Sequence, residues 1–158
     1  MPAPIEAAQL TALLAPIRAL DLPTTKSMLV GGAALAVWGI KPQISDYDII
    51  VTPGCLINEA RKIGLPTSRG TRLKNLEQVV GDYGEREVNG HITIMLPPND
   101  ALYRASFTEL KPSSRIVQGI RVLTPEGILA WKQAIGRKKD EADIRRIINY
   151  LSQHGIAA

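Results

Sequence analysis

Asp46 and Asp48 stand two residues apart at the head of an apolar run, Ile49-Ile50-Val51. Side chains alternate along an extended strand, so the two carboxylates project to one face. Packed that closely they repel each other unless positive charge lies between them. A hard divalent cation, held by carboxylates together with substrate phosphates, supplies it. Upstream, the apolar stretch Met28-Leu29-Val30 enters Gly31-Gly32, where a strand gives way to a helix. Without a Cβ, the backbone there can approach a ligand closely. The start of a helix also presents unpaired N–H groups that suit a phosphate. The pair is not a Walker A loop, because no Gly-Lys-Ser/Thr follows. Nor is it the dinucleotide fingerprint, which needs a third glycine soon after.

The order Gly31-Gly32, then Ser45-Asp46-Tyr47-Asp48-Ile49, resembles the signature of the nucleotidyltransferase superfamily. The subgroup it looks most like is that of small bacterial proteins related to abortive-infection toxins and minimal nucleotidyltransferases. Those also carry a basic C-terminal stretch, matched here by Leu129-Ala130-Trp131-Lys132-Gln133-Ala134 and by Gly136-Arg137-Lys138-Lys139-Asp140-Glu141-Ala142-Asp143-Ile144. The resemblance implies an α/β, polymerase-beta-like fold, a small mixed sheet flanked by helices. It implies transfer of a nucleoside monophosphate from a nucleoside triphosphate to a hydroxyl-bearing acceptor, RNA, protein or small molecule, with Mg2+ or Mn2+. Asp46 and Asp48 would be catalytic metal ligands. Gly31, Gly32 and Ser45 would contact the triphosphate, and Lys132, Arg137 and Lys139 would close on phosphate or substrate. A toxin role with an antitoxin partner is implied by analogy only. The family's third carboxylate falls in an apolar-acid-apolar context, and here that context is Ile92-Thr93-Ile94. Thr93 holds the position without the charge. Either another acid (Asp82, Glu85, Glu87 or Asp100) or His91 takes over, or the fold is degenerate and binds nucleotide or a partner without catalysis.

The whole chain bears on these expectations. Its 158 residues are the size of one domain, with a core at about 22–123 and C-terminal helices at about 124–153. A hydrophobic content of 45% suits a folded chain, and charged residues form no long single-sign block. The net charge of +4 suits an anionic partner, though on charge alone an ordinary solvated surface with a few extra lysines is the favoured reading. Aromatic residues at 4% argue against a stacking surface for single strands. One cysteine, Cys55, cannot form an internal disulfide, which with the lack of a signal-peptide pattern or apolar span points to the cytoplasm.

The elements that position the candidate residues follow from periodicity and punctuation. Residues 4–20 read as an amphipathic helix with Pro16 a kink or end, 27–30 as a buried strand and 32–38 as a helix closed by Gly39. Trp38 reads as core near the active face. Residues 47–52 form the strand bearing the carboxylates, stopped by Pro53-Gly54, and 55–63 a helix. Residues 67–73 read as a polar loop with Arg69 and Arg72, while 76–80 and 86–96 read as strands with a turn at Asn89-Gly90. In the last of these Thr93 alternates with Ile92 and Ile94, which would turn its hydroxyl toward the cleft beside Asp48. Residues 99–106 read as a short helix capped by Asn99, and 114–117 with 120–123 as a hairpin around Gln118-Gly119. Thr124-Pro125 starts a helix that ends at Gly136, and 138–153 is the last helix. The sheet should carry Gly31-Gly32 and the two aspartates at one edge.

Overall fold

The computed structural model describes residues 3–42, 44, 46–62, 73–74 and 92–155. In chain order the elements are α1 (Ala7–Arg18), β1 (Ser27–Val30), α2 (Gly31–Val37), β2 (Tyr47–Val51), α3 (Pro53–Lys62), β3 (Leu73–Lys74), β4 (Ile92–Met95), α4 (Phe107–Leu110), β5 (Ser114–Val117), β6 (Ile120–Leu123), α5 (Pro125–Ile135) and α6 (Glu141–Gln153). Single 3-10 turns at Lys111–Ser113 and Lys138–Asp140 precede β5 and α6. The result is an α/β fold with a mixed sheet in the order β3-β4-β2-β1-β6-β5.

β1, β2, β5 and β6 form where the apolar runs predict them, and β4 occupies the described part of the expected 86–96 strand. Leu73, expected at the end of a polar loop, instead belongs with Lys74 to β3, which pairs with β4. The sheet order corrects a further expectation. β1 and β2 are its two central strands, not an edge: β1 pairs antiparallel with β2 and parallel with β6, and β2 pairs parallel with β4. Central strands are covered on both faces and so tolerate continuous apolar sequence. Ser27 to Val30 are all buried, as are Ile49, Ile50 and Val51. One contiguous core runs from Leu14 on α1 through Leu29, Leu35, Ile50, Ile94 and Leu123 to Ile147 and Leu151 on α6. Trp38 belongs to it, with its indole N–H donating to the Leu123 carbonyl at 2.8 Å.

Local chemistry sets the helix ends. The Thr124 hydroxyl accepts from Gly127 N–H, Pro125 takes the first turn, and Gly136 closes α5 in the left-handed region at φ +65°. The same Thr-Pro device starts α3. Thr52 Oγ1 accepts from Cys55 N–H at 3.3 Å, so Pro53 opens the helix instead of only stopping the strand. Helix α1 continues past Pro16 to Arg18, with the i→i−4 bond of residue 16 given up. Residues 99–106 do not form a helix. Asn99 bridges to Arg104 in an extended pair, and Asp100 closes a turn by accepting from Leu102 N–H at 2.8 Å. The helix begins at Phe107, where Ser106 and Glu109 form a reciprocal capping box at 3.1 and 3.0 Å. The last helix likewise starts later than its pattern implies, after a 3-10 turn, with Ile147 and Leu151 buried and Ile144 and Ile148 half-buried. The expected loop at 67–72, the strand at 76–80 and the Asn89-Gly90 turn lie outside the described residues. No described helix is long and apolar enough to cross a membrane.

Candidate functional site

A cleft of about 590 Å³ opens where the carboxyl end of β1 meets the amino end of β2. Antiparallel register places Val30 opposite Asp48, so the residue before the glycine pair and the second aspartate are neighbours. Gly31 takes φ +67°, a conformation that costs an L side chain on the order of 1–2 kcal/mol. A Cβ built there would stand 3.1 Å from Asp48 Oδ2. The glycine therefore serves two ends at once: it turns the chain from strand into α2, and it leaves room for the carboxylate. Asp46 is exposed and Asp48 half-buried, and both line the cleft with Gly31 and Gly32.

The other wall comes from the C-terminal elements. Lys132 on α5, together with Arg137 and Lys139 beyond it, lines the same cleft. Lys132 and Arg137 are held by carboxylates that the sequence reading did not assign to the site. Lys132 Nζ donates to Asp140 Oδ1 at 2.8 Å and lies 3.6 Å from Asp143 Oδ2, while Arg137 Nε donates to Asp140 Oδ2 at 2.7 Å. Asp143 is shared further, with Arg146 at 3.1 Å and Lys41 at 3.5 Å. Burial pushes the Asp140 carboxyl up, but hydrogen bonds from Lys132 and Arg137 outweigh it and leave the group below the ordinary aspartate range. Lys41, read in the sequence only as part of a helix break, reaches over the glycine turn: its Nζ lies 3.7 Å from where a Gly32 Cβ would be. The signal for this network was present as Asp140 and Asp143, three residues apart and so on one helical face after a basic run. What it lacked was any sign of the partner across the fold.

Thr93 departs from its expected display. It lies on β4 in register with Asp48, as alternation requires, and shares a sheet face with it. It is nonetheless 3% exposed and is not among the residues lining the cleft, whereas Met95, two residues on, is. Asp100 is occupied by its turn and does not line the cleft either. Ser45, His91, Asp82, Glu85 and Glu87 lie outside the described residues.

Among the described residues no group of three metal-ligating side chains occurs. The donor set present is two carboxylates lining one cleft, which fits a hard cation whose shell is completed by other oxygen donors, such as phosphate. The described lining carries four cationic side chains (Lys41, Lys132, Arg137, Lys139) and four carboxylates (Asp46, Asp48, Asp140, Asp143). Formal charges cancel, so the cleft is not a general sink for polyanions. Comparison of the chain with family models, curated proteins and solved structures finds no match.

Proposed function

We propose that this cleft binds a nucleoside triphosphate with a divalent cation and transfers its nucleoside monophosphate to a hydroxyl-bearing acceptor, in a nucleotidyltransferase-like fold. The observation that carries the reading is the meeting of Asp46, Asp48 and the Gly31-Gly32 turn with Lys132, Arg137 and Lys139 in one cleft. The chemistry of the donor set supports it: two carboxylates beside a glycine turn suit a hard divalent cation that also takes phosphate oxygens. Asp46 and Asp48 would hold that cation, magnesium or manganese, which when bound stabilises the charge that develops on the transferring phosphate. The chain's own part is positioning and electrostatics. Asp140 and Asp143 keep Lys132 oriented toward the phosphates, Arg137 and Lys139 lie beside it, and Lys41 covers the glycine turn. RNA, a protein or a small molecule can each supply the hydroxyl, and an antitoxin partner belongs to the same resemblance.

One observation favours a second reading, a nucleotide-binding relative without transfer activity. Thr93 stands in register with Asp48 where the family's third carboxylate would be, and it is buried. The test is calorimetry of Mg-ATP binding together with labelled-nucleotide incorporation, on the wild type and Asp48→Asn. Transfer lost in Asp48→Asn supports the first reading. Metal-dependent binding without any transfer supports the second, and absence of metal-dependent binding ends both.

A further inference from the structure

The charged half of the cleft leaves a second half unexplained. Ile44, Met95, Pro98, Ile128, Trp131 and Ile135 also line it, and Trp131 directly precedes Lys132 on α5. Only seven aromatic residues occur in the chain, two Trp, four Tyr and one Phe. Two of them meet here. Tyr103 stacks on Trp131 with ring centroids 5.6 Å apart and planes at 25°. Such a pair fixes the indole plane at little entropic cost, since both rings are half-buried. The polar side chains of the described lining are all charged. None is a hydroxyl, an amide or an imidazole, and of the cations that could read the edge of a heterocycle Lys41, Lys132 and Arg137 are held by Asp140 and Asp143.

We propose that Trp131, braced by Tyr103, is the stacking platform for the base of the bound nucleotide, and that the cleft takes purine and pyrimidine nucleotides with little discrimination. The inference rests on the nucleotide reading above and names what that site does with the base. An aromatic face is sequence-tolerant, because every base offers a π-surface to it. The adjacency of Trp131 to Lys132 joins the platform to the phosphate-facing cations within one helical turn. The other tryptophan, Trp38, is buried at 2% exposure with its N–H bonded, so ligand contact is read by Trp131 alone.

The experiment compares wild type, Trp131→Phe and Trp131→Ala, each checked for fold by circular dichroism. Probes are the magnesium complexes of ATP, GTP, CTP and UTP, and of inorganic tripolyphosphate. Calorimetry reports affinity and tryptophan emission reports contact. All four nucleotides should quench wild-type emission, whereas tripolyphosphate should not. Their affinities should lie within about tenfold of one another, and Trp131→Ala should weaken all four by roughly tenfold while leaving tripolyphosphate unchanged. Trp131→Phe should keep most of the affinity and lose the quench. Equal weakening of tripolyphosphate in Trp131→Ala would overturn the platform, since Trp131 would then only hold α5 in place. So would nucleotides that bind no tighter than tripolyphosphate in the wild type, or a single base preferred by far more than tenfold. In those outcomes the phosphate site survives. Failure of both nucleotide and tripolyphosphate to bind overturns the platform and the nucleotide reading together.

Discussion

The wall of the cleft that carries Asp46 and Asp48 is made of two central strands, whereas the wall that carries Lys132, Arg137 and Lys139 is made of helices joined by a 3-10 turn. On the strand wall, position follows from backbone register. Val30 faces Asp48 and Leu29 faces Ile49, and fully buried residues lie behind them. On the helix wall, Ile147 and Leu151 bury the underside of α6, but the cleft-facing side is ordered by charge, through Asp140 and Asp143. The two walls should therefore fail differently. The strand wall answers to cavities and backbone strain, and the helix wall to proton concentration and to the loss of a partner.

The largest effect expected is on the strand wall. Ile50 is 0% exposed in the middle of β2, and Ile50→Ala should cost about 3–4 kcal/mol by leaving a cavity between covered sheet faces. Denaturant unfolding would measure it, and the loss should be the same at pH 4.5 and pH 7. A strong pH dependence would show that the strand wall is not purely a packing device.

Somewhat smaller is the expected loss in Asp140→Ala, about 3 kcal/mol, because a nearly buried Lys132 loses its 2.8 Å partner. Asp140→Asn sharpens the contrast through its pH profile. The folded carboxyl sits below its ordinary value of 3.8, so the stability it contributes is fully present above that value. The gap between wild type and Asp140→Asn should be constant near neutrality, begin to shrink near pH 3.8, and close as the pH falls through the lower folded value. A gap that persists undiminished in acid would mean that the helix wall is held by packing instead.

The smallest stability effect, on the order of 1–2 kcal/mol, is expected for Gly31→Ala at its positive φ. Its consequence for the site should be out of proportion, because the new Cβ would press on Asp48 Oδ2 from 3.1 Å. Mg-ATP binding should weaken more than the fold does. If binding is untouched while stability drops, the glycine matters for the turn alone.

Much of this architecture was legible locally. The hairpin around Gln118-Gly119, the Thr124-Pro125 start and the Gly136 stop were read from residues adjacent in sequence, and they form as read. The errors were local too where two signals competed. Asn99 and Ser106 both offer a cap, but only Ser106 has a Glu three residues on to return the hydrogen bond. Proline at position 53 was read as a stop, when the preceding threonine makes it a start.

What the amino-acid sequence determined by itself is most of the elements and the short-range layout of the site: Asp46 and Asp48 two residues apart at the head of β2, a glycine turn before them, a basic run just ahead of the last helix. Propensity, capping and alternation act over a few residues, and they are written in a few residues. Tertiary structure alone decided that β1 and β2 lie at the centre of the sheet, that Thr93 is buried beside Asp48, that Lys41 meets Asp143, and that Tyr103 stacks on Trp131. Each of those contacts joins residues far apart in the chain, and several strand orders would satisfy the same local patterns. The choice among them is made by the shared core, which buries Leu29, Ile50, Ile94 and Leu123 together and in doing so brings the two walls of the cleft face to face.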